Sequence, residues 1–485
     1  MVVPLTIQAG RGSSQDIFAA TRVVDPSGLN GTDTTIAAAL AALPAAGGVI
    51  FVREGTFAET LTMPDKPVKI LGAGRGLTII DLASVASAVA FGMAFDRPYT
   101  FCDFTITGDS TAALAQKGFE YTGPSPKLQP ISIERVDSGL DFSGETDGVE
   151  TYFNVTAAKI VNDLSIRDCV AVCGSTTTTS GAILDGFGSS SHIRLEAVIG
   201  KLNAHLDTAA AVITATDCVF TDKSGGDAEV GVESQLVNCT FAGNMTVRPS
   251  ASGRVMFSNC FFRNEPTTAG RPQLEIPSAA GGGSVVSACV FRRFVGSSPA
   301  FTLTVANDSI VIGCNFGGAA VTGQISVTGV DNVIAHNVNN ASNPGLIESG
   351  GADRNRLSEN IGFTLTIIGP DSIVNDSRKR GVTAGATTAA FVNQFTHTNP
   401  KGLVGIGTIK NTGGVNALEV REDVTDAFGT VTTVTTTVLF GDDYLLDPQT
   451  NFGTARPPYV SYGVFVRHPV AATTFDLQFT GRGVE

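Results

Sequence analysis

The sequence predicts an all-β protein, with a right-handed parallel β-helix of about ten to twelve coils followed by a C-terminal antiparallel β-sandwich or jelly roll. Three observations favour this fold. A four-residue motif recurs at near-regular spacing, short Val/Ile/Phe/Thr runs alternate with Gly, Asn and Asp, and the motif stops near residue 380.

The recurring motif is a polar residue, a small apolar residue (usually Cys), any residue, and an apolar residue (usually Phe). The spacing between Cys218 and Cys239, and between Cys239 and Cys260, is 21 residues. A repeat of that length matches one coil of a solenoid and is too short for a propeller blade. The other copies are Asp103-Phe104-Thr105-Ile106, Asp168-Cys169-Val170-Ala171, Glu196-Ala197-Val198-Ile199, Ala288-Cys289-Val290-Phe291, Gly313-Cys314-Asn315-Phe316 and Ala335-His336-Asn337-Val338, with a weak copy near Asn360-Ile361.

The motif predicts two inward ladders. Side chains two positions apart on a strand share a face, and parallel strands stack about 4.8 Å apart, so equivalent Cys and Phe side chains should stack inside the coils. The polar residue before each Cys should form a turn, because Asn and Asp tolerate left-handed backbone and can bond to neighbouring coils.

The eight cysteines include no CxxC pair. We expect reduced thiols that pack in the core, because free Cys behaves as a small buried hydrophobe. Disulfides between stacked cysteines and a metal site are the alternatives. No cofactor and no metal are expected.

Composition restricts the function. Hydrophobic residues make up 42% of the chain and charged residues 16%, which indicates a folded, core-rich protein. A formal net charge of −13 disfavours nucleic-acid binding. The sequence contains no run of 18 apolar residues, so no membrane insertion is expected. Met1 to Thr6 lack the features of a secretory signal, so we expect the protein to fold in a cytoplasm.

The N-terminal part is divided in two. Residues 1–30 have little pattern beyond a strand at Ile17 to Val24 and are interpreted as an N-terminal segment that could anchor the chain. Residues 31–380 are assigned to the β-helix. A helix is predicted over 34–43, with Asp33 as N-cap and Pro44 at its end, and it should cover the open edge of the first coil.

The stretches Gly47 to Phe57 and Ile70 to Asp81, together with the helix before them, resemble the opening coils of the pectin-lyase-like superfamily. They are similar to pectinesterases and to the pectate-lyase-like domains of phage tailspikes. The resemblance covers about residues 33–82 and implies the β-helix fold. It does not imply an activity, because the same scaffold carries lyases, hydrolases, esterases and inert proteins.

Residues 381–485 are assigned to a separate C-terminal domain. Longer alternating strands are predicted there at Leu403 to Ile409, Ala417 to Val420, Val431 to Phe440, Tyr462 to Val466 and Phe475 to Phe479. The domain loosely resembles the small β domains appended to phage tail and capsid-surface proteins.

Catalytic candidates are weak. The densest acidic stretch lies in a long segment between two coils and consists of Asp137, Asp141, Glu145, Asp147 and Glu150. The non-functional interpretation is that these are solvated acidic residues of a loop. A second group contains Asp222, Asp227, Glu229 and Glu233. The polygalacturonase and pectinesterase signatures are absent. The chain has no Trp, and three Tyr in the β-helix, so an aromatic sugar platform is not expected.

Three functions are compatible with these features. The leading hypothesis is a phage virion structural protein, such as a tail spike, fibre or capsid decoration, that contacts the host surface or stabilises the particle without catalysis. The alternative is a tailspike depolymerase that cleaves a host polysaccharide as a hydrolase or lyase; a bacterial pectin-type enzyme ranks third. The expected partners are two further copies in a homotrimer, other virion proteins and host polysaccharide.

Overall fold

The structure, a computed structural model, is described in two compact units, Met1–Ser250 (unit 1) and Ala251–Glu485 (unit 2). The described residues are 20–82, 88–108, 116–139, 149, 151–173, 182–188, 191–202, 205–207, 211–222, 227–231, 233–249, 254–264, 266, 271–277, 283–292, 301–317, 323–341, 345–349, 351–367, 372–382, 392–398, 403–412, 417–426, 430–439, 442–446, 451, 461–467 and 474–483. No described helix is long and apolar enough to cross a membrane.

Unit 1 consists of short strands and one helix, α1 (Ile36–Ala41). Its strands in chain order are β1 (Arg22–Val24), β2 (Gly48–Val52), β3 (Gly55–Phe57), β4 (Leu61–Met63), β5 (Val68–Gly72), β6 (Thr78–Asp81), β7 (Val89–Met93), β8 (Tyr99–Thr107), β9 (Lys117–Tyr121), β10 (Ile131–Ser138), β11 (Thr151–Val155), β12 (Leu164–Arg167), β13 (Val170–Cys173), β14 (Ala182–Asp185), β15 (His192–Glu196), β16 (Ile199–Leu202), β17 (His205–Asp207), β18 (Val212–Thr216), β19 (Val219–Asp222), β20 (Asp227–Val230), β21 (Ser234–Val237), β22 (Thr240–Gly243) and β23 (Thr246–Pro249).

These strands form three parallel stacks, so each coil contributes one strand to each stack. Stack 1 is β1, β2, β5, β8, β10, β12, β15, β18 and β21. Stack 2 is β3, β6, β8, β10, β13, β16, β19 and β22. Stack 3 is β4, β7, β9, β11, β14, β17, β20 and β23. This arrangement confirms the predicted parallel β-helix.

Unit 2 continues with the same kind of short strand and ends in longer ones. Its strands are β24 (Val255–Ser258), β25 (Phe261–Asn264), β26 (Leu274–Ile276), β27 (Val285–Ser287), β28 (Val290–Arg292), β29 (Phe301–Val305), β30 (Ile310–Ile312), β31 (Asn315–Gly317), β32 (Gly323–Val327), β33 (Val333–Ala335), β34 (Val338–Asn339), β35 (Gly345–Glu348), β36 (Arg356–Ser358), β37 (Thr364–Ile367), β38 (Ile373–Val382), β39 (Val392–Thr398), β40 (Leu403–Asn411), β41 (Leu418–Thr425), β42 (Val431–Val438), β43 (Asp443–Leu446), β44 (Ser461–Arg467) and β45 (Thr474–Gly483).

Unit 2 also has three parallel stacks. Its stack 1 is β24, β27, β30, β33, β36 and β38, its stack 2 is β25, β28, β31 and β34, and its stack 3 is β26, β29, β32, β35, β37 and β39. Stack 1 therefore holds nine strands in unit 1 and six in unit 2 among the described residues. Among the described residues, the coils with a strand in all three stacks number eight in unit 1 and four in unit 2, which agrees with the predicted ten to twelve.

The junction between stacks 1 and 2 is the left-handed turn that the motif predicted. In unit 1 the turn residue has φ between 52° and 62°, as at Asp103, Asp168, Asp217 and Asn238. In unit 2 the turn residues are Asn259, Ala288, Gly313, His336 and Glu359, with φ between 50° and 66°. One residue with positive φ is enough to redirect the chain between two strands.

Both inward ladders are confirmed. Cys218 and Cys239 are buried in successive coils of unit 1, and Phe220 stacks on Phe241 with ring centroids 5.4 Å apart. In unit 2, Cys260, Cys289 and Cys314 are buried, and Phe262, Phe291 and Phe316 stack with centroids 4.7 Å apart at both steps. All eight cysteines are buried and unbridged.

Two copies of the motif were assigned one residue out of register. Ala197 and His336 were expected at the Cys position, but both are turn residues with φ of 52° and 56°. Val198 and Asn337 occupy the ladder position and are buried. His336 is exposed, and its Nδ1 lies 2.9 Å from the Glu359 carboxylate, so it is not a core residue. The predicted register is one residue off in these two coils because neither coil has a Cys at the ladder position.

Asn337 replaces Cys with a hydrogen-bonded ladder. Its Oδ1 accepts the Cys314 backbone N–H at 2.9 Å, and its Nδ2 donates to Asn360 Oδ1 at 3.0 Å in the next coil. A parallel ladder links Asn332 to Asn355 at 3.0 Å. Buried amides of this kind form hydrogen bonds with each other and with the backbone of neighbouring coils, so their burial leaves few unpaired polar groups.

The first coil is covered by α1, as expected, but its N-cap differs from the prediction. Thr35, not Asp33, is the N-cap, and its Oγ1 accepts the Ala38 N–H at 3.2 Å. The Asp33 carboxylate is bound instead by the Arg22 guanidinium at 2.7 and 2.5 Å. Glu59 accepts the first two helix N–H groups, from Ile36 and Ala37, at 3.0 and 2.9 Å.

Of the predicted strand at 17–24, Arg22–Val24 is a strand and residues 17–19 lie outside the described residues.

The long strands of unit 2 form two antiparallel sheets, as predicted. One has the order β38–β45–β40–β43 and the other β39–β44–β41–β42. Strand β38 also pairs in parallel with β36, and β39 pairs with β37, so both sheets extend stacks of the β-helix.

The carboxylate of Glu422 on β41 is fully buried and accepts hydrogen bonds from Tyr444 on β43 at 2.6 Å and Tyr462 on β44 at 2.5 Å. This carboxylate ties the two sheets together.

Candidate functional site

Asp137, the first acidic candidate, lies at an outward position of β10 yet is only 1% exposed. Its Oδ1 accepts the Val170 backbone N–H at 2.8 Å and lies 3.4 Å from Arg75 Nη1. Burial raises the pKa of Asp137, although the Val170 hydrogen bond and the positive charge of Arg75 partly oppose that shift. The carboxyl is therefore a bound group inside the protein.

The reason for this binding is a local opening of stack 2 between β10 and β13. In later coils the corresponding amide donates to a backbone carbonyl, as Thr240 N–H does to Cys218 O at 2.8 Å. Here the Val170 N–H goes to Asp137, and the Val172 N–H goes to Ser138 Oγ at 2.8 Å. The hydroxyl of buried Tyr152 donates to the Val136 carbonyl at 2.6 Å. Three polar side chains thus replace backbone pairing, which assigns Asp137 a structural task.

The other members of the acidic stretch lie outside the described residues: Asp141, Glu145, Asp147 and Glu150. In the second group, Glu229 lies 2.7 Å from Arg248, and Glu233 is an exposed residue with φ of 57°. Asp222 and Asp227 lie in β19 and β20, and their side chains lie outside the described part. The described residues do not bring either group together as a site.

A column that the sequence analysis missed runs along the outer face of stack 3 in unit 1. Each member follows an inward apolar residue, and strand pairing aligns the members coil by coil. The column is Gly92, Glu120, Asn154, Asp185, Glu229 and Arg248, with the backbone of Asp207 in register between Asp185 and Glu229. Its successive positions, with Asp207 included, are 19 to 34 residues apart in the chain, so no fixed period reveals them. The available signal was the repeated apolar–polar pair, as in Phe119-Glu120 and Leu184-Asp185.

Glu120 is the best-defined acid of this column. Its Oε1 accepts hydrogen bonds from Lys117 Nζ at 2.6 Å, Asn154 Nδ2 at 3.0 Å and Thr156 Oγ1 at 3.1 Å. Partial burial raises the pKa of Glu120, but these donors outweigh burial and hold the pKa below its ordinary value. Glu120 therefore stays ionised near neutral pH and suits contact with hydroxyl or cationic groups better than proton donation.

Lys127 is a second buried charged group in unit 1. Its Nζ donates to Arg97 O at 2.8 Å, lies 3.4 Å from Asp96 Oδ1, and lies 5.5 and 5.7 Å from the ring centroids of Tyr99 and Tyr121. Burial lowers the pKa of Lys127, against the opposing effect of the Asp96 charge. Because the side chain is fully buried, this cluster holds the 122–130 loop onto the coils.

In the part of the chain that the structure describes, no group of three or more His, Cys, Asp or Glu side chains could hold a metal ion. The three tyrosines of the β-helix, Tyr99, Tyr121 and Tyr152, are all buried. They therefore present no ring to a ligand on the outer face.

No family model and no curated protein sequence matches the chain. Among solved structures, the chain is similar to a tailspike protein of E. coli bacteriophage HK620 in complex with a pentasaccharide, at 10% identity and TM-score 0.43, covering 95% of this chain and 92% of that chain. It is similar to the A-module of a mannuronan C-5 epimerase of Azotobacter vinelandii, at 15% identity and TM-score 0.30, covering 70% and 92%. It is also similar to DFA-IIIase of Arthrobacter chlorophenolicus A6, at 12% identity and TM-score 0.37, covering 64% and 84%. These similarities carry no inference about activity.

Proposed function

We propose that the chain is a structural protein of a bacteriophage virion that contacts a host-surface polysaccharide, or stabilises the particle, without cleaving a glycan. It would serve as a tail spike, a fibre or a capsid-surface decoration. The virion assignment is supported by the resemblance of residues 33–82 to tailspike coils and by the order of a β-helix followed by antiparallel sheets.

The observation that carries the non-catalytic part is the state of the described carboxylates. Glycoside hydrolysis needs an accessible acid with a raised pKa and a second carboxylate across the bond. Asp137 has the raised pKa but is buried and bound to Val170 and Arg75. Glu120 faces outward, but its pKa is lowered and three donors hold it. Glu229 is paired with Arg248. Of these three described carboxylates, Asp137 is inaccessible, Glu120 is held ionised, and Glu229 is bound to a guanidinium.

The proposed assembly is a homotrimer that is attached to other virion proteins. Closed symmetry prevents open-ended growth of side-by-side contacts, which favours a small symmetric oligomer. Residues 381–485 form the proposed C-terminal domain and would contribute to trimerisation or docking. The proposed partners exclude nucleic acid, because a chain of net charge −13 repels phosphate.

The test is incubation of the purified full chain with capsular polysaccharide and lipopolysaccharide from candidate hosts. We expect retention of one polysaccharide in a binding assay and no release of oligosaccharides, measured by reducing ends and by ultraviolet absorbance of unsaturated products. Released oligosaccharides would contradict the proposal and favour a depolymerase. Antibody labelling of purified phage particles tests the virion location.

A tailspike depolymerase, acting as a hydrolase or lyase, is the second candidate. The outer column of stack 3 favours it, because the backbone register aligns Asp185, Asp207 and Glu229 on successive coils, about 4.8 Å apart. If the chain cleaves a glycan there, Asp185→Asn and Glu229→Gln should abolish cleavage, while Glu196→Gln on the outer face of β15 should not. Equal activity of all three variants would exclude this column as the site.

A further inference from the structure

The outer face of stacks 1 and 2 in unit 2 is apolar over four consecutive coils. The first aligned column on this face consists of Met256, Val285, Ile310 and Val333. These side chains are partly exposed, and Ile310 is 37% exposed. On the outward side of a sheet, one such residue needs no explanation, but an aligned column of four does.

Two further columns widen this surface. The middle column is Ser258, Ser287, Ile312 and Ala335, and the third is Phe261, Val290, Asn315 and Val338. Ile361 extends the third column by one coil and is 46% exposed. We call these three columns, with Ile361, the apolar face. The four segments that carry it, 256–261, 285–290, 310–315 and 333–338, contain no Asp, Glu, Lys or Arg.

The equivalent first column of unit 1 is polar, although its third column holds Val170, Ile199 and Val219. There the first column consists of Lys69, Thr100, Ser132, Ser165, Arg194, Thr214 and Gln235. Stack 3 of unit 2 is also polar on its outer side, with Glu275, Thr304 and Ser326 in one column. Coil geometry therefore does not require apolar residues on the outside, so the apolar face needs another reason.

The size of the apolar face fits a protein contact. Four coils at about 4.8 Å and a width of about six residues at about 3.3 Å give roughly 400 Å². This total area includes Ser258, Ser287 and Asn315 and is about half of what one partner buries in a standard interface. Arg263 and Arg356 lie at its margins and are exposed, which matches the polar rim of an interface.

The net charge of the chain indicates which molecule covers the apolar face. The chain carries a net charge of −13, so two copies repel each other over most of their surfaces. The four segments without Asp, Glu, Lys or Arg are where two identical acidic chains can meet without opposing like charges. The further coil that carries Ile361 also carries Arg356 and Glu359, and the Glu359 carboxylate is bound by His336. We propose that the apolar face of unit 2 packs side by side against a second copy of this chain. The inference rests on the homo-oligomer named in the proposed function and assigns the surface that forms it.

The test introduces one charge on this face in the full chain. Ile310→Glu should weaken self-association at least about tenfold, because an interface that buries an unpaired carboxylate is strongly disfavoured. Thr214→Glu is the matched control, since Thr214 is an exposed residue in the equivalent column of unit 1, and it should associate like the unchanged protein. Sedimentation velocity over a micromolar concentration series measures both, with circular dichroism as the check of folding.

Ile361→Glu provides the second variant, because its more exposed side chain puts folding at less risk. An unchanged protein that stays monomeric, or association of I310E and I361E that equals that of T214E, would overturn the proposal. Polysaccharide binding is read separately. A monomeric protein that still binds the host glycan would contradict the proposed interface but not the proposed glycan contact. An oligomer that does not bind the glycan would contradict the glycan contact but not the interface.

Discussion

Phe291 lies in the middle of three stacked rings, and its replacement by Ala should show how much the inward ladder contributes to stability. The side chain is 0% exposed, and its ring centroid lies 4.7 Å from those of both Phe262 and Phe316. The interplanar angles are 7° and 3°, so the three rings are nearly parallel.

The magnitude follows from these contacts. Truncation of a buried Phe to Ala costs about 3–5 kcal/mol, because it removes apolar burial and leaves a cavity. Phe291 also has an aromatic neighbour on both sides, and each such pair is worth about 0.5–1.5 kcal/mol. The neighbouring rings are held by their own strands and cannot close the gap fully. We therefore expect a loss at the upper end of the range, about 4–5 kcal/mol.

Equilibrium denaturation in guanidinium, followed by circular dichroism, measures this loss as a lower midpoint with an unchanged slope. Thr304→Ala is the control, because Thr304 is an outward, partly exposed residue on β29 of the same unit, and it should cost less than about 1 kcal/mol. A loss below about 1 kcal/mol for Phe291→Ala, or one equal to that of the control, would refute the inward register of the ladder.

Four further changes test other parts of the fold. Phe241→Ala in unit 1 should cost about 3–5 kcal/mol in the same assay, and a much smaller loss would place this ring outside the core. Asp137→Asn should leave stability unchanged or higher at pH 7: burial raises the pKa of this carboxyl, so wild-type stability falls as the pH rises from the ordinary Asp range toward the raised value, and the two proteins should converge at about pH 3–4. A large loss for Asp137→Asn at neutral pH would show that the ion pair with Arg75 dominates. Glu422→Ala should destabilise unit 2 by about 3–5 kcal/mol, because it removes the buried acceptor between the two antiparallel sheets, while Glu422→Gln should cost clearly less. All eight thiols should titrate in denaturant without reductant and react slowly in the native protein, because burial raises the pKa of Cys102 to about 11 and that of Cys169 to about 12; a count of six or fewer would indicate a disulfide.

Where the motif is complete, the sequence predicted the structure to the residue. Asp217-Cys218-Val219-Phe220 gives a left-handed turn, an inward Cys, an outward residue and an inward Phe, as expected. The prediction succeeded because alternation along a strand and stacking between strands are local rules. Where Cys is absent, as at Ala197 and His336, the register shifted by one, because any apolar or polar residue satisfies the weaker pattern.

The candidate site was less accessible to sequence reasoning. Asp137 was recognised as an acid in a long excursion, but its burial depends on Arg75 and Val170, which lie 62 and 33 residues away in the chain. The outer column of stack 3 escaped notice, because excursions of unequal length separate its members. Only strand pairing places Glu120 and Asp185 in one line.

The sequence by itself determined the class of this protein: repeated turn residues and alternating apolar positions leave little choice but stacked coils, and a change of pattern marks the antiparallel end. Tertiary structure alone decided which outward residues share a surface. Side chains from successive coils become neighbours through backbone pairing across 19 to 34 residues in the outer column of stack 3. The same pairing buries Asp137, aligns the acids on stack 3 and assembles the apolar face of unit 2, because register between coils is set by the whole stack and not by any one strand.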